Sequence, residues 1–141
     1  MEYIVCIAAF NGIKGNRRIE LDVSFVEENH GQQIASVALN RAKEVFPPED
    51  GWVEHFTNHL SWEKAAEALR RKDKGFRSNS MYGVGMIAVR KRQVYISTAA
   101  VSAPSMARAS ELGAVTALKH FPKNTGWTQQ HFCVALGRKK K

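Results

Sequence analysis

The sequence predicts an α+β fold in which two ββαβ units follow one another as a tandem repeat with pseudo-twofold symmetry. A mainly antiparallel sheet is covered by helices, with a helical linker between the repeats. Three observations predict it. A shift of 75 positions lays Phe46-Pro47-Pro48-Glu49-Asp50-Gly51-Trp52 on Phe121-Pro122-Lys123-Asn124-Thr125-Gly126-Trp127, with four identities in seven. The spacing of apolar residues changes between strand-like and helix-like in the same order in each half. Finally, 141 residues with 44% hydrophobic and 24% charged side chains match one globular domain.

The first unit spans residues 1–60. Tyr3 to Phe10 is continuously apolar and rich in β formers, and Asn11-Gly12 with Gly15-Asn16 supplies turn residues that tolerate positive φ. Ile19, Leu21, Val23 and Phe25 then alternate with Glu20, Asp22 and Ser24, the period-two pattern of a strand with one wet face. Asn29 is placed to cap a helix with Gln32 three residues on, and Ile34, Val37, Ala38, Ala42 and Val45 share one face of that helix. Phe46-Pro47 ends it, because the residue before proline is driven out of the α region. Gly51-Trp52 opens a third strand that runs to the neighbourhood of Leu60.

Residues 61–81 form the linker, where Trp62, Ala65, Ala66 and Leu69 keep helical spacing and Glu67 stands four residues before Arg71. Gly75 is the expected C-cap. The second unit, residues 82–137, repeats the order of the first. A strand from Tyr82 to Val89 is followed by a tight basic turn at Arg90, Lys91 and Arg92 and a strand from Val94 to Ala100. Ser102 with Pro104 is expected to start a helix whose apolar stripe is Met106, Ala109, Leu112, Gly113, Ala117 and Leu118. Gly113 is a poor helix former, so it marks close packing on the sheet or on another helix. Gly126-Trp127 opens the sixth strand, which ends near Leu136, and residues 138–141 form a Lys-rich tail. In each unit a right-handed crossover from the second strand to the third leaves the first between them. The six strands then make one sheet or two abutting three-stranded sheets, with helices on one side and Trp52 and Trp127 in equivalent places.

With this strand pattern and the FP-x-x-x-GW ending of each helix, each half resembles the small ββαβ domains found singly or in tandem in bacterial and phage proteins. The resemblance spans nearly the whole chain except the linker helix. Its matching residues, Phe46, Pro47, Gly51 and Trp52 with their partners, end a helix and start a strand, so it implies a topology and transfers no catalytic residue. A topological likeness to tandem-repeat ribosomal proteins likewise speaks to fold alone.

Several chemistries find little support. Cys6 and Cys133 lie in apolar runs without a C-x-x-C partner and read as core thiols. His55 and His59 have chelating spacing only on a helix, whereas a strand separates them by about 13 Å; they and His131, matched to His55 by the repeat, read as structural or interface residues. Gly83 and Gly85 lack the remainder of a dinucleotide fingerprint and read as a bulge or a close backbone approach. No nucleophile elbow, paired-carboxylate motif or phosphate-loop lysine occurs. The expectation is a protein that is not an enzyme, with no catalytic residue, no metal and no cofactor. The N-terminus lacks the basic start and cleavage site of a signal peptide, and no apolar run nears the ~20 residues that cross a bilayer. A soluble cytoplasmic protein without a membrane partner is expected.

Charge is distributed unevenly. Residues 1–70 carry 7 basic and 11 acidic side chains, a net −4, whereas residues 71–141 carry 14 basic side chains against Asp73 and Glu111, a net +12. Three basic patches stand out: Arg70, Arg71, Lys72, Lys74 and Arg77 in the linker, Arg90, Lys91 and Arg92 in the hairpin, and Arg138, Lys139 and two further lysines in the tail. Phe76 and Tyr82, close to the first group, are candidate stacking residues. Cations of this kind neutralise phosphates and release counterions while rings stack on exposed bases. A basic half nearly free of acids is more than solubility requires. The expected partner is nucleic acid, or alternatively a nucleic-acid-binding protein complex on which the chain docks as a protein-interaction module, such as a phage-borne inhibitor. Glu20, Asp22, Glu27 and Glu28 in the acidic half would meet a basic groove, or the basic half of a second copy in a homo-oligomer.

Overall fold

The apolar run at the start of the chain becomes β1 (Glu2–Asn11), and Ile4 through Ala9 have no exposed surface. A strand without polar alternates is one covered on both faces. β2 (Ile19–Glu27) and β3 (Trp52–Ser61) flank it antiparallel, so that Ile7 faces Asp22 on one side and Thr57 on the other. Later in the chain, β4 (Ser80–Arg90) lies antiparallel between β5 (Gln93–Ala103) and β6 (Gln129–Leu136), and Met81 through Ala88 are buried. The computed structural model describes residues 2–11, 19–28, 33–72, 79–90, 93–122, 126 and 129–137. Among them the fold is α+β, with two three-stranded antiparallel sheets ordered β2-β1-β3 and β5-β4-β6. Three α-helices accompany them: α1 (Ile34–Val45), α2 (Trp62–Lys72) and α3 (Met106–His120).

The sheets lie face to face, and each carries a helix on its outer side. Val5, Ile7 and Ala9 pack against Ala38 and Ala42 of α1, with Phe46 and Trp52 closing that core. Their strand neighbours Ile4, Cys6 and Ala8 point the other way and meet Met81, Ile87 and Ile96 of the second sheet. Tyr82, Val84, Met86 and Ala88 turn outward beneath Ala109 and Ala117 of α3. Helices therefore cover two sides and not the single side expected, because the outward residues of both central strands are apolar and each sheet needs its own cover. α2 fills the edge of the seam: Ala65 and Ala66 are buried with Ile4 and Met81, and Trp62 stands edge-on to Phe25 at 5.1 Å.

Gly83 and Gly85 let the sheets approach. A Cβ on Gly85 would fall 2.5 Å from both Cys6 Sγ and Val23 Cγ2, and one on Gly83 would fall 2.7 Å from Ile4 Cγ2. Close backbone approach is what a strand glycine commonly provides.

Helix ends differ in detail from expectation. Asn29 and Gln32 lie outside the described residues, and Gln33 is the N-cap of α1 without a side-chain bond. α3 begins later than Ser102, which stays in β5 opposite Met81. Ser105 caps it instead, accepting a hydrogen bond from the Arg108 N–H at 3.2 Å, because Pro104 falls outside the helix. The packed stripe of α3 is Ala109, Leu112, Gly113 and Ala117, and a Cβ on Gly113 would sit 3.3 Å from Val134 Cγ2 of the sheet. Leu118, turned a further 100° from Ala117, and Met106 at the first helical position are 40% and 41% exposed.

α1 and α3 end alike. Phe46 (φ −125°, ψ 74°) and Phe121 (φ −128°, ψ 76°) each donate a backbone N–H to the carbonyl four residues earlier, and both rings are buried. Gly51 and Gly126 are both left-handed, with φ of 92° and 83°, a conformation open to glycine without strain. Trp52 packs 5.0 Å from Phe46; Trp127 and Gly75 lie outside the described residues. No helix among those residues is long and apolar enough to cross a membrane.

Candidate nucleic-acid interface

The last turn of α2 presents Arg70, Arg71 and Lys72 to solvent. Arg71 binds Glu67 at 2.8 Å one turn back, both side chains being mostly exposed, so the pair contributes only about 0.3–0.5 kcal/mol. Cations here also complement the negative end of the helix dipole. Lys74, Phe76, Arg77, Lys91, Arg92, Arg138 and Lys139 lie outside the described residues.

At the far end of β4 the structure brings Arg90 and Tyr95 together. Arg90 pairs with Gln93 and Ala88 with Tyr95, so Arg90 and Tyr95 lie diagonally on one face of the hairpin. The guanidinium carbon stands 5.9 Å from the ring centroid, within cation–π range. Tyr95 is 37% exposed. The ring was missed in the sequence, although its place three residues past the basic turn was a usable signal.

Tyr82 corrects the expectation. Its side chain is 3% exposed and belongs to the core under α3 with Val101 and Phe121. A base would reach that ring only by opening the core, since strand alternation sends position 82 to the helix-covered face together with Val84 and Met86.

The basic groups do not share one spot. Arg90 lies eight residues along β4 from Tyr82, about 26 Å away. Lys72 borders Thr98, which pairs with Gly85 midway between them. Among the described residues, the cations at the end of α2 and Arg90 thus stand at separate points along the second sheet. In the acidic half, Glu20 and Glu27 are exposed on β2, whereas Asp22 and Glu28 are partly buried.

Two of the histidines serve packing. His55 Nε2 lies 2.7 Å from the Phe46 carbonyl and so ties β3 to the end of α1, while His59 stands edge-on to Tyr3 at 5.8 Å. His131 is not the counterpart of His55. It pairs with Ile87, which faces the other sheet, whereas His55 pairs with Ala9, which faces a helix. A one-residue offset in a strand reverses the face. Among the described residues no three His, Cys, Asp or Glu side chains come together as a metal site.

Both cysteines are free, and Cys6 has no exposed surface. Burial, reinforced by the nearby Cys133 and Asp22, pushes its thiol up to about 12, and burial raises Cys133 as well. The unfolded chain loses this proton near 9.0 while the folded chain keeps it to about 12. The contribution of Cys6 to stability is therefore complete below pH 9 and is lost as pH climbs through that window, by at most about 1.4 kcal/mol per pH unit. Urea midpoints of the wild type and Cys6→Ala, compared at successive pH values above 9, should show a shallower alkaline decline for the variant.

No family model, curated protein or solved structure matches the chain.

Proposed function

We propose that the protein is a non-enzymatic binding protein that contacts nucleic-acid phosphates through its basic second half, with Arg90, Lys91 and Arg92 leading and Tyr95 offering a stacking face. One observation carries this: an exposed ring sits under an arginine at the tip of the half whose net charge is +12. Phosphate contacts from the hairpin, the end of α2 and the tail would position the strand without reading sequence. The test is a salt titration of binding to single- and double-stranded DNA and RNA. Affinity should fall log-linearly with salt, by about 0.7 per phosphate contact on a single strand. Absent or salt-insensitive binding overturns the proposal.

The same proposal includes a duplicated framework, akin to the small ββαβ domains of bacterial and phage proteins, in a cytoplasmic protein. Its support is geometric. The shift of 75 positions carries Phe46 and Gly51 to Phe121 and Gly126 with matching backbone angles. It also carries Val26 and Ser61, which flank Tyr3, to Val101 and Leu136, which flank Tyr82.

A second reading, a protein-interaction module of the inhibitor kind docking on a nucleic-acid-handling complex, is favoured by the outer side of α3. There Val115 is 50% and Leu118 40% exposed. Co-purification of a stoichiometric protein partner that survives nuclease treatment would select it.

A further inference from the structure

α2 packs over the seam where β3 and β5 run side by side, and along its flank lies an open groove of about 320 Å³. Its size falls at the small end of organic-ligand sites, about 300–1,000 Å³. Leu60, Ala65 and Leu69 give it an apolar floor, and Thr98 stands in its wall. Lys64 and Lys72 border the groove with Ala68 between them. Eight residues along one helix set the two lysines about 12 Å apart, and the methyl at Ala68 leaves the way between them open. Glu67 is engaged by Arg71 at 2.8 Å, so its carboxylate does not answer the charge of these two lysines.

An apolar floor and two rim cations are complementary to a molecule with an oily body and an anionic head. A phosphodiester chain would leave that floor unused. We propose that the groove beside α2 binds a medium-chain organic carboxylate, its chain lying on Leu60, Ala65 and Leu69 and its carboxylate held by a rim lysine. The site is separate from the Arg90–Tyr95 hairpin, and it stands or falls independently of nucleic-acid binding.

The test titrates the full chain with decanoate below its micellar concentration, following the methyl signals of Leu60 and Leu69 by NMR and the heat of binding. Decanol supplies the chain without the head, and acetate the head without the chain. Saturable one-to-one binding of decanoate is expected. Decanol, acetate and the Lys64→Gln/Lys72→Gln double variant should each weaken it by roughly tenfold or more, as loss of a charge-assisted hydrogen bond or of apolar burial does. Ala68→Phe, a change at an exposed helix position, should block the groove while leaving the thermal melt in place. Failure of decanoate to saturate, equal affinity for decanol, or unchanged binding in Ala68→Phe would each overturn the proposal.

Discussion

A methyl group placed at Gly85 is expected to destabilise the fold by about 1–3 kcal/mol, the range found when a packed core is overfilled. The added carbon would meet two atoms at once, Cys6 Sγ and Val23 Cγ2, each at 2.5 Å. Neither has room to retreat: Cys6 has no exposed surface and Val23 is 9% exposed. β4 would have to move away from the first sheet, loosening the seam on which Ile4, Met81 and Ile87 depend. Urea unfolding followed by circular dichroism would show the loss as a lower midpoint. Gly113→Ala supplies a contrast, because its nearest neighbour lies at 3.3 Å and helix propensity returns about 0.8–1.0 kcal/mol; its midpoint should change little or rise. Pairing Gly85→Ala with Val23→Ala should recover part of the loss beyond additivity. Strict additivity in that cycle would show that the two sheets are not interlocked at this point.

The same glycines mark how far the architecture was legible. Continuous apolar runs at Tyr3 to Phe10 and Tyr82 to Val89 identified the two central strands, and Phe46-Pro47 marked the end of α1. Such runs say that both faces are dry but not what dries them. The covering sheet was signalled only by Gly83 and Gly85 alternating with Tyr82, Val84 and Met86, a small-residue face against a large-residue face. Ser102 with Pro104 carries the local signal of a helix start, yet Ser105 caps α3. Long-range pairing of Ser102 with Met81 decided the matter. Tyr82 and His131 failed for a related reason: nearness to cations, or to a matched phenylalanine, says nothing about which side of a strand a residue takes. Arg90 was legible from its place beside the basic turn, although it ends β4 paired with Gln93 and does not lie in the turn itself, whereas Tyr95 emerged only from the hairpin register.

That register makes the proposed interface separable into its two physical parts. Tyr95→Ala should weaken single-stranded binding about five- to 150-fold, the equivalent of about 1–3 kcal/mol for one stacked base, without altering the salt slope. Arg90→Gln should make the slope shallower by about 0.7 if the guanidinium neutralises one phosphate, whatever the base composition. Tyr95→Phe keeps the ring and should bind as the wild type does. The two sites are coupled, since the guanidinium lies 5.9 Å from the ring centroid and an exposed cation–π contact is worth about 0.5–1 kcal/mol. Tyr95→Ala therefore also removes one of the contacts of Arg90, and the loss in the double variant should depart from the sum of the single losses. Because Tyr95 is 37% exposed, thermal melts of the variants should separate a binding defect from a folding one. A Tyr95→Ala protein that is folded and binds unchanged would remove the ring from the interface, and an unchanged slope in Arg90→Gln would remove the hairpin with it.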